Sequence, residues 1–321
     1  MNTSIFGRAF IVNTVIISKL IYVINVFEPP TDFIKNINKE IFPYIFTGTL
    51  RNVKRNTLAQ AKNKGGINVQ LINTKLEALR IQYISEIIKS KEKWPLAHYF
   101  IGIRLFRYTK LNHNMPHFFG THNQPFYRSC TKIINLYPEL IGKNTKSAYV
   151  AITQKLEPPL NERIKAAYKC LIVDCTPCFK NTHNKFSTIT EKEITYRLLF
   201  NMTPIRPTLK RCPFCKLRVL NEEHLFALCT ALKPLKVSLK ATTNKLLGNK
   251  TSSLYKMIML NLIPDTNTAI RNLLLHILGA YRHHIWTSFT KIINHKIDLK
   301  VPIMLNIWEE KEIGIIRSHT Q

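Results

Sequence analysis

Cys212-Pro213-Phe214-Cys215 sets two thiols two residues apart; His224 follows after eight more residues and Cys229 after another four. The spacing is Cys-x2-Cys-x8-His-x4-Cys. Thiolate sulfur and imidazole nitrogen are the ligands a tetrahedral zinc ion takes, and a CxxC turn folds back tightly enough to aim two sulfurs at one ion. Three thiolates, one neutral histidine and a dication sum to a single negative charge. No ligand position is left open for water or substrate, so the expected role is structural rather than catalytic. The bland reading of the same residues is packed thiols and an ordinary hydrogen-bonded histidine. Asn221 is placed to cap a short helix with Glu222 and Glu223 in its first turn, His224 early in it and Cys229 near its end. Positions five apart do not share a face of an ideal helix, so the last turn is expected to fray or tighten.

A second set, Cys170, Cys175, Cys178 and His183, offers a rival pair in Cys175-Thr176-Pro177-Cys178. It reads as a second metal site, a redox pair or unremarkable thiols. The redox reading needs a strand and a βαβ setting, which the pattern does not supply. Other chemistry is sparse. The four aspartates, Asp32, Asp174, Asp265 and Asp298, are far apart, with no adjacent acidic pair to hold two metals for nucleotidyl transfer. Phosphate-loop, nucleophile-elbow and HExxH patterns are missing. The expectation is a chain that is not an enzyme and takes no small-molecule substrate.

Charge points to the partner. Lys and Arg number 47 against 19 Asp and Glu, a formal net charge of +28, which suits a polyanion such as RNA or DNA. A ribosome-like or membrane-surface protein, or a coding bias toward Lys, Asn and Ile, would leave the same balance. Seven cysteines in a chain of 321 residues are too few and too spread for a secreted disulfide scaffold, so reduced thiols in the nucleus or cytoplasm are expected.

The elements that must position these residues read as mainly α. Residues 5–27 are apolar on most sides and are stopped by Glu28-Pro29-Pro30, giving a largely buried helix. The stretch from Ala9 to Phe27 is interrupted by Asn13, Lys19 and Asn25, and is expected to be a core helix rather than a membrane or signal segment. Thr31-Asp32 signals a second helix running to about Phe46. Gly65-Gly66 marks a turn that needs positive φ or close backbone approach, and Ile67, Val69 and Leu71 alternate after it. The next helix has Leu76, Leu79, Ile84, Ile87 and Ile88 on its apolar side, with Lys75, Arg80 and Lys89 left for solvent or phosphate. Residues 112–128 read as an irregular connection, and Pro158-Pro159 and Lys180 to Thr190 mark a further break before a helix near Glu191. Three regions result: 1–110, a helical connection over 111–190, and 191–321 with the Cys/His cluster.

The order of features resembles the C-terminal part of non-LTR (LINE-type) retrotransposon reverse transcriptases. In the thumb of that family a Gly-Arg helix is followed by a proline turn, a helix, a basic link and a Gly-Gly turn; the matching parts here are Gly7-Arg8, Pro29-Pro30, residues 33–46, Arg51 to Arg55 and Gly65-Gly66. The segment "ITYRLLFNMTPIRPTLKRCPFCKLRVLNEEHLFALCTALKPL" is similar to the family's zinc-binding segment, with matching spacing at all four ligands. Residues 1 to about 110 and 190–235 carry the resemblance. Phe46 departs from it where a tryptophan is usual, and Phe289 where a basic residue is expected. The palm with its paired catalytic aspartates is not in this sequence.

The resemblance implies a thumb-like domain over 1–110 and a zinc knuckle in 191–321, holding template-primer, element RNA or target DNA during target-primed reverse transcription beside an upstream polymerase region of a parent protein. Arg51, Lys54, Arg55, Lys62 and Lys64 are the expected nucleic-acid contacts of the first region. Lys210, Arg211, Lys216 and Arg218 are the corresponding set around the zinc. Each set also fits a solvated charged face. Trp94, Tyr99 and Phe126 suit either base stacking or core packing, and Trp286 is expected inside. The alternative is a zinc-stabilised protein-interaction module from a decayed or domesticated element.

Overall fold

The computed structural model describes residues 3–25, 27–46, 53, 55–89, 125–156, 174–205, 209, 211–216, 220–248, 253–297 and 299–320. Arg51, Lys54, Trp94, Tyr99, Cys170, Lys210 and Arg218, together with the boundary near 110, lie outside them. The chain is mainly α, as its periodicities imply, with no strand among the described residues.

Helix α1 (Ile5–Ile24) starts where Ser4 Oγ accepts the Gly7 N–H at 3.1 Å, and widens to a π stretch over Val12–Ile17. It is followed by α2 (Thr31–Phe46), α3 (Arg55–Ala59), a 3-10 turn (Lys62–Lys64) and α4 (Ile72–Lys89). Next come α5 (Pro125–Leu136), α6 (Thr145–Lys155), α7 (Thr176–Thr182) and α8 (Ile189–Leu199), the last opened by a reciprocal capping box between Thr188 and Glu191. After the Cys/His segment, α9 (Lys233–Leu247), α10 (Leu254–Leu260), α11 (Thr268–His295) and α12 (Val301–Thr320) complete the fold.

Two buried clusters organise these helices. The larger joins Ile5, Ile17, Ile45, Leu58 and Ile72 from the first part of the chain to Phe179, Tyr196, Leu225, Leu274, Ile285 and Trp308 from the last. The smaller packs Ala78, Ile81, Ile84 and Ile87 of α4 against Cys130, Ile133, Ala148 and Ile152 of α5 and α6. Helix α4 therefore serves both, its first turns in one cluster and its later turns in the other. Trp286 is partly buried against the larger cluster and stacks on Phe289 with ring centroids 5.4 Å apart.

The double glycine meets both of its expected demands. Gly65 has φ +83°, and a Cβ on Gly66 would stand 1.8 Å from the Gln60 carbonyl oxygen. The following segment is extended but forms no ladder: the N–H groups of Ile67 and Val69 both donate to the Leu58 carbonyl at 3.0 Å. The alternation is nonetheless real, with Ile67 and Val69 buried and Asn68 exposed. Tyr196 Oη of α8 donates to the Gly65 carbonyl at 3.0 Å and so ties the turn to a helix 131 positions further along the sequence.

Two expectations need correction. Arg80, assigned to solvent or phosphate, is fully buried. Its guanidinium donates to the carbonyls of Ile24 and Asn25 at 3.0 and 3.1 Å, pairs with Glu28 at 3.2 Å and lies 3.8 Å from the Phe126 ring centroid. A helix end without intrahelical partners for its carbonyls needs donors, and an arginine inside supplies several at once. That contact also accounts for Phe126, which packs on Arg80 and edge-to-face on Tyr83. The second correction concerns α1, expected to be largely buried. Only 22% of its most apolar window is inside, and Phe10, Tyr22 and Val23 are 67%, 83% and 54% exposed. Ile5, Ala9, Val12, Ile17 and Ile24 are buried in the core, with Phe6, Ile16, Leu20 and Ile21 packed partly against it. By length and composition α1 passes the test for a membrane-crossing helix, at mean hydropathy 1.6.

The glycine geometry makes a graded expectation. Gly66→Ala should cost at least ~2–3 kcal/mol of unfolding free energy because backbone must move, whereas Gly65→Ala should cost ~1–2 kcal/mol for the left-handed conformation alone. Equal denaturant midpoints for the two variants would contradict this. His183 supplies a pH dependence. Its ring packs edge-on to Phe6 at 5.4 Å, and burial, with Lys62 and Lys192 nearby, pulls its pKa down to about 4. As pH falls from about 6.5 toward 4 the unfolded chain gains a proton that the folded chain refuses, so stability drops in that window. His183→Gln should show a shallower fall of melting temperature there than wild type.

Candidate metal centre

The cluster is built from a turn and a distorted helical turn that follow α8. At Cys212-Pro213-Phe214-Cys215 the chain reverses so that the Lys216 N–H donates to the Cys212 carbonyl at 2.9 Å, with Lys216 in the left-handed region at φ +63°. This reversal brings Cys215 back beside Cys212. The second pair is delivered as the sequence suggests at its start: Asn221 Oδ1 accepts the His224 N–H at 2.7 Å.

The end of that turn differs from expectation. Five residues of α-helix rotate a side chain about 140° past a full turn, which would leave Cys229 facing away from His224. Instead of fraying or tightening, the chain widens to a π turn over His224–Leu228, closed by the Cys229 N–H donating to the His224 carbonyl at 2.7 Å. The extra residue is absorbed and both ligands face the same way.

The four ligand atoms lie within 4.8 Å of one another. Cys212 Sγ and Cys229 Sγ are 3.8 Å apart, and Cys215 Sγ is 3.2 Å from His224 Nε2. Sulfurs bound to one tetrahedral zinc at ~2.3 Å stand ~3.8 Å apart, while a disulfide would need ~2.05 Å. The arrangement can hold a metal ion and is compatible with one zinc. Cys212, His224 and Cys229 are buried and Cys215 is partly exposed, so the site sits against the larger core with one edge toward solvent.

Electrostatics favour deprotonation by stages. Cys212 is drawn down to about 5, first by the Cys229 thiol donating to it and then by the N–H groups of Cys215 and Phe214 aimed at its sulfur. Cys229 is pushed up, because it retains the proton the pair shares. A dication held by these residues would displace the protons the thiols retain, making metal uptake proton-releasing. The residual negative charge of a three-thiolate site has a neighbour in Lys236 of α9, which donates from Nζ to the Ala227 carbonyl at 2.9 Å and senses the Cys229 charge.

Sequence reasoning missed Lys236 and the burial of Glu222. Glu222 stands in the first turn as expected, but it is buried, and its Oε1 accepts the Thr203 N–H at 2.6 Å and the Thr203 hydroxyl. Burial raises its pKa to about 7. The carboxyl pins the end of α8 to the start of the ligand turn, a link across nineteen positions that no local pattern could report. Glu223 accepts from Tyr255 Oη at 3.0 Å.

Among the described residues this is the one cluster of metal-ligating side chains. Cys175 and Cys178 are buried in the larger core beside Phe179, and His183 stands against Phe6, so these three are not gathered into such a group. Of the basic residues expected at nucleic acid, Arg55, Lys62, Lys64, Arg211 and Lys216 are exposed. Arg55 lies over the Phe42 ring at 4.7 Å, and Arg211 and Lys216 flank the CxxC turn.

Metal analysis tests the cluster directly. The purified chain should carry about one zinc per molecule, and a Cys212→Ser, Cys215→Ser variant should carry essentially none and melt at lower temperature. Equal zinc in both would refute the assignment.

Compared with known families and with curated proteins, the chain matches no family model and no curated sequence.

Proposed function

We propose that the chain is a nucleic-acid-binding protein without a catalytic centre, in which a structural zinc knuckle fixes one part of a basic surface. The observation that carries this reading is the +28 charge together with Lys62, Lys64, Arg211 and Lys216 standing exposed on two turns. Lysine and arginine on turns neutralise phosphates and release counterions, giving affinity that does not depend on base sequence. The order of sequence features supports descent from the thumb and zinc-binding parts of a LINE-type reverse transcriptase, acting on RNA or target DNA in the nucleus or cytoplasm alongside a polymerase region. With paired catalytic aspartates missing from the sequence, any polymerisation would belong to that other region.

A second reading is favoured by one observation. The exposed Phe10, Tyr22, Val23 and Phe27 are apolar side chains that phosphate would not seek, and a zinc-stabilised protein-interaction module would use them.

Salt titration separates the two. Zinc-loaded chain should bind RNA or duplex DNA with log affinity falling linearly in log salt, at a slope of about −0.9 per phosphate neutralised on duplex. Replacing Lys62, Lys64, Arg211 and Lys216 with glutamine should make that slope shallower. No detectable binding at low salt would leave the interaction module as the better account.

A further inference from the structure

Between the Gly-Gly turn and α6 lies a cleft of about 460 Å³, walled by the end of α3, the Lys62–Lys64 turn, the first turn of α4 and one face of α6. That volume is in the range of small-ligand pockets. Its walls are tied together: Gln60 Nε2 donates to the Thr153 carbonyl at 3.2 Å, and the Leu71 N–H donates to Tyr149 Oη at 3.0 Å. The shape is therefore fixed before any ligand arrives.

The lining carries Lys64, Lys75 and Lys146 and no carboxylate. Lys64 and Lys146 are exposed at the mouth, whereas Lys75 is half-buried, and burial alone draws its ammonium down. A lysine taken partly out of water with no carboxylate in the cleft to pair with is an unfavourable arrangement that an anion would relieve. The remaining polar lining is mostly amide, with Asn63 and Gln154 exposed on opposite walls. Each amide offers both donors and an acceptor, and Tyr149 adds a ring edge. Phosphate alone would have no use for that combination, but a phosphate joined to a hydrogen-bonding heterocycle would.

Resting on the nucleic-acid reading above, we propose that this cleft takes one nucleotide of a single-stranded RNA or DNA, its phosphate toward Lys75 and Lys146 and its base edge toward Asn63 and Gln154. In a duplex the Watson–Crick edges are engaged in pairing, and the backbone of a paired rod does not enter a recess. The cleft would thus confer a preference for unpaired strands that surface lysines do not supply.

The test is anisotropy of a short fluorescein-labelled single-stranded RNA, the same strand annealed into a duplex, and an abasic strand of equal length, each against the full zinc-loaded chain. Lys75→Ala with Lys146→Ala should weaken single-strand binding roughly tenfold or more and make its salt slope shallower by about 0.7, the share of the one phosphate the two lysines hold. Duplex binding should change less than about twofold. Asn63→Ala with Gln154→Ala should weaken the single strand but leave the abasic strand and the salt slope unchanged. If the Lys75 variant does not fold, Lys146→Ala alone, on an exposed helix face, should still lower the single-strand affinity and slope. Wild-type affinity in the lysine variants, an equal loss on single strand and duplex, or an equal loss on the abasic strand in the amide variant would overturn the cleft while leaving general nucleic-acid binding intact. Wild-type chain that bound none of the three probes would instead remove the nucleic-acid reading itself.

Discussion

A fold made of many helices, several of them only two turns long, must find donors for the carbonyls left over at each helix end, and much of this structure follows from how that is done. At the end of α10 the donors come from Arg282, fully buried in α11. Its guanidinium reaches the carbonyls of Met257 and Ile258 at 2.6 and 2.7 Å, Asn261 Oδ1 at 3.1 Å and Thr195 Oγ1 of α8 at 3.1 Å. One side chain thereby fixes three helices against each other. Arg80 does the same for the end of α1. Buried guanidinium is costly to desolvate, and it persists because the carbonyl dipoles it meets would otherwise be equally unsatisfied.

This arrangement ties the metal cluster to the rest. Tyr281, next to Arg282, lies fully buried in contact range of the ligand turn, donating to the Phe226 carbonyl at 3.4 Å. Glu222 holds the same turn to Thr203, and Lys236 reaches it from α9. The ligands thus hang on a frame of α8, α9 and α11 that is assembled by hydrophobic burial and long-range polar contacts. A metal would lock this frame rather than create it.

How much of this was legible beforehand depended on range. Spacing alone picked out the four side chains that the structure gathers, because their approach is imposed locally by a turn and a helix cap. The Gly65-Gly66 turn was legible for the same reason, since only glycine meets both the positive φ and the contact with Gln60. Arg80 was misassigned because its partners, Ile24 to Glu28, are more than fifty positions away, and a basic residue on a helix face gives no local sign that it turns inward. Helix α1 misled in the opposite sense: its apolar content suggested complete burial, but only a stripe of it found the core. The membership of the two clusters was invisible as well, because α4 divides its length between them and periodicity reports a face without reporting what covers it.

The π turn at His224–Leu228 has a bearing on how such sites are recognised. Histidine and cysteine four positions apart share one face of a regular α-helix, and five positions apart they do so here because the helix takes in one surplus residue. His-x3-Cys and His-x4-Cys are then two registers of one geometry, related by a single insertion that the backbone absorbs without turning the two side chains apart. A spacing rule that admits only one of them would separate the two at a point where the donor set has not changed.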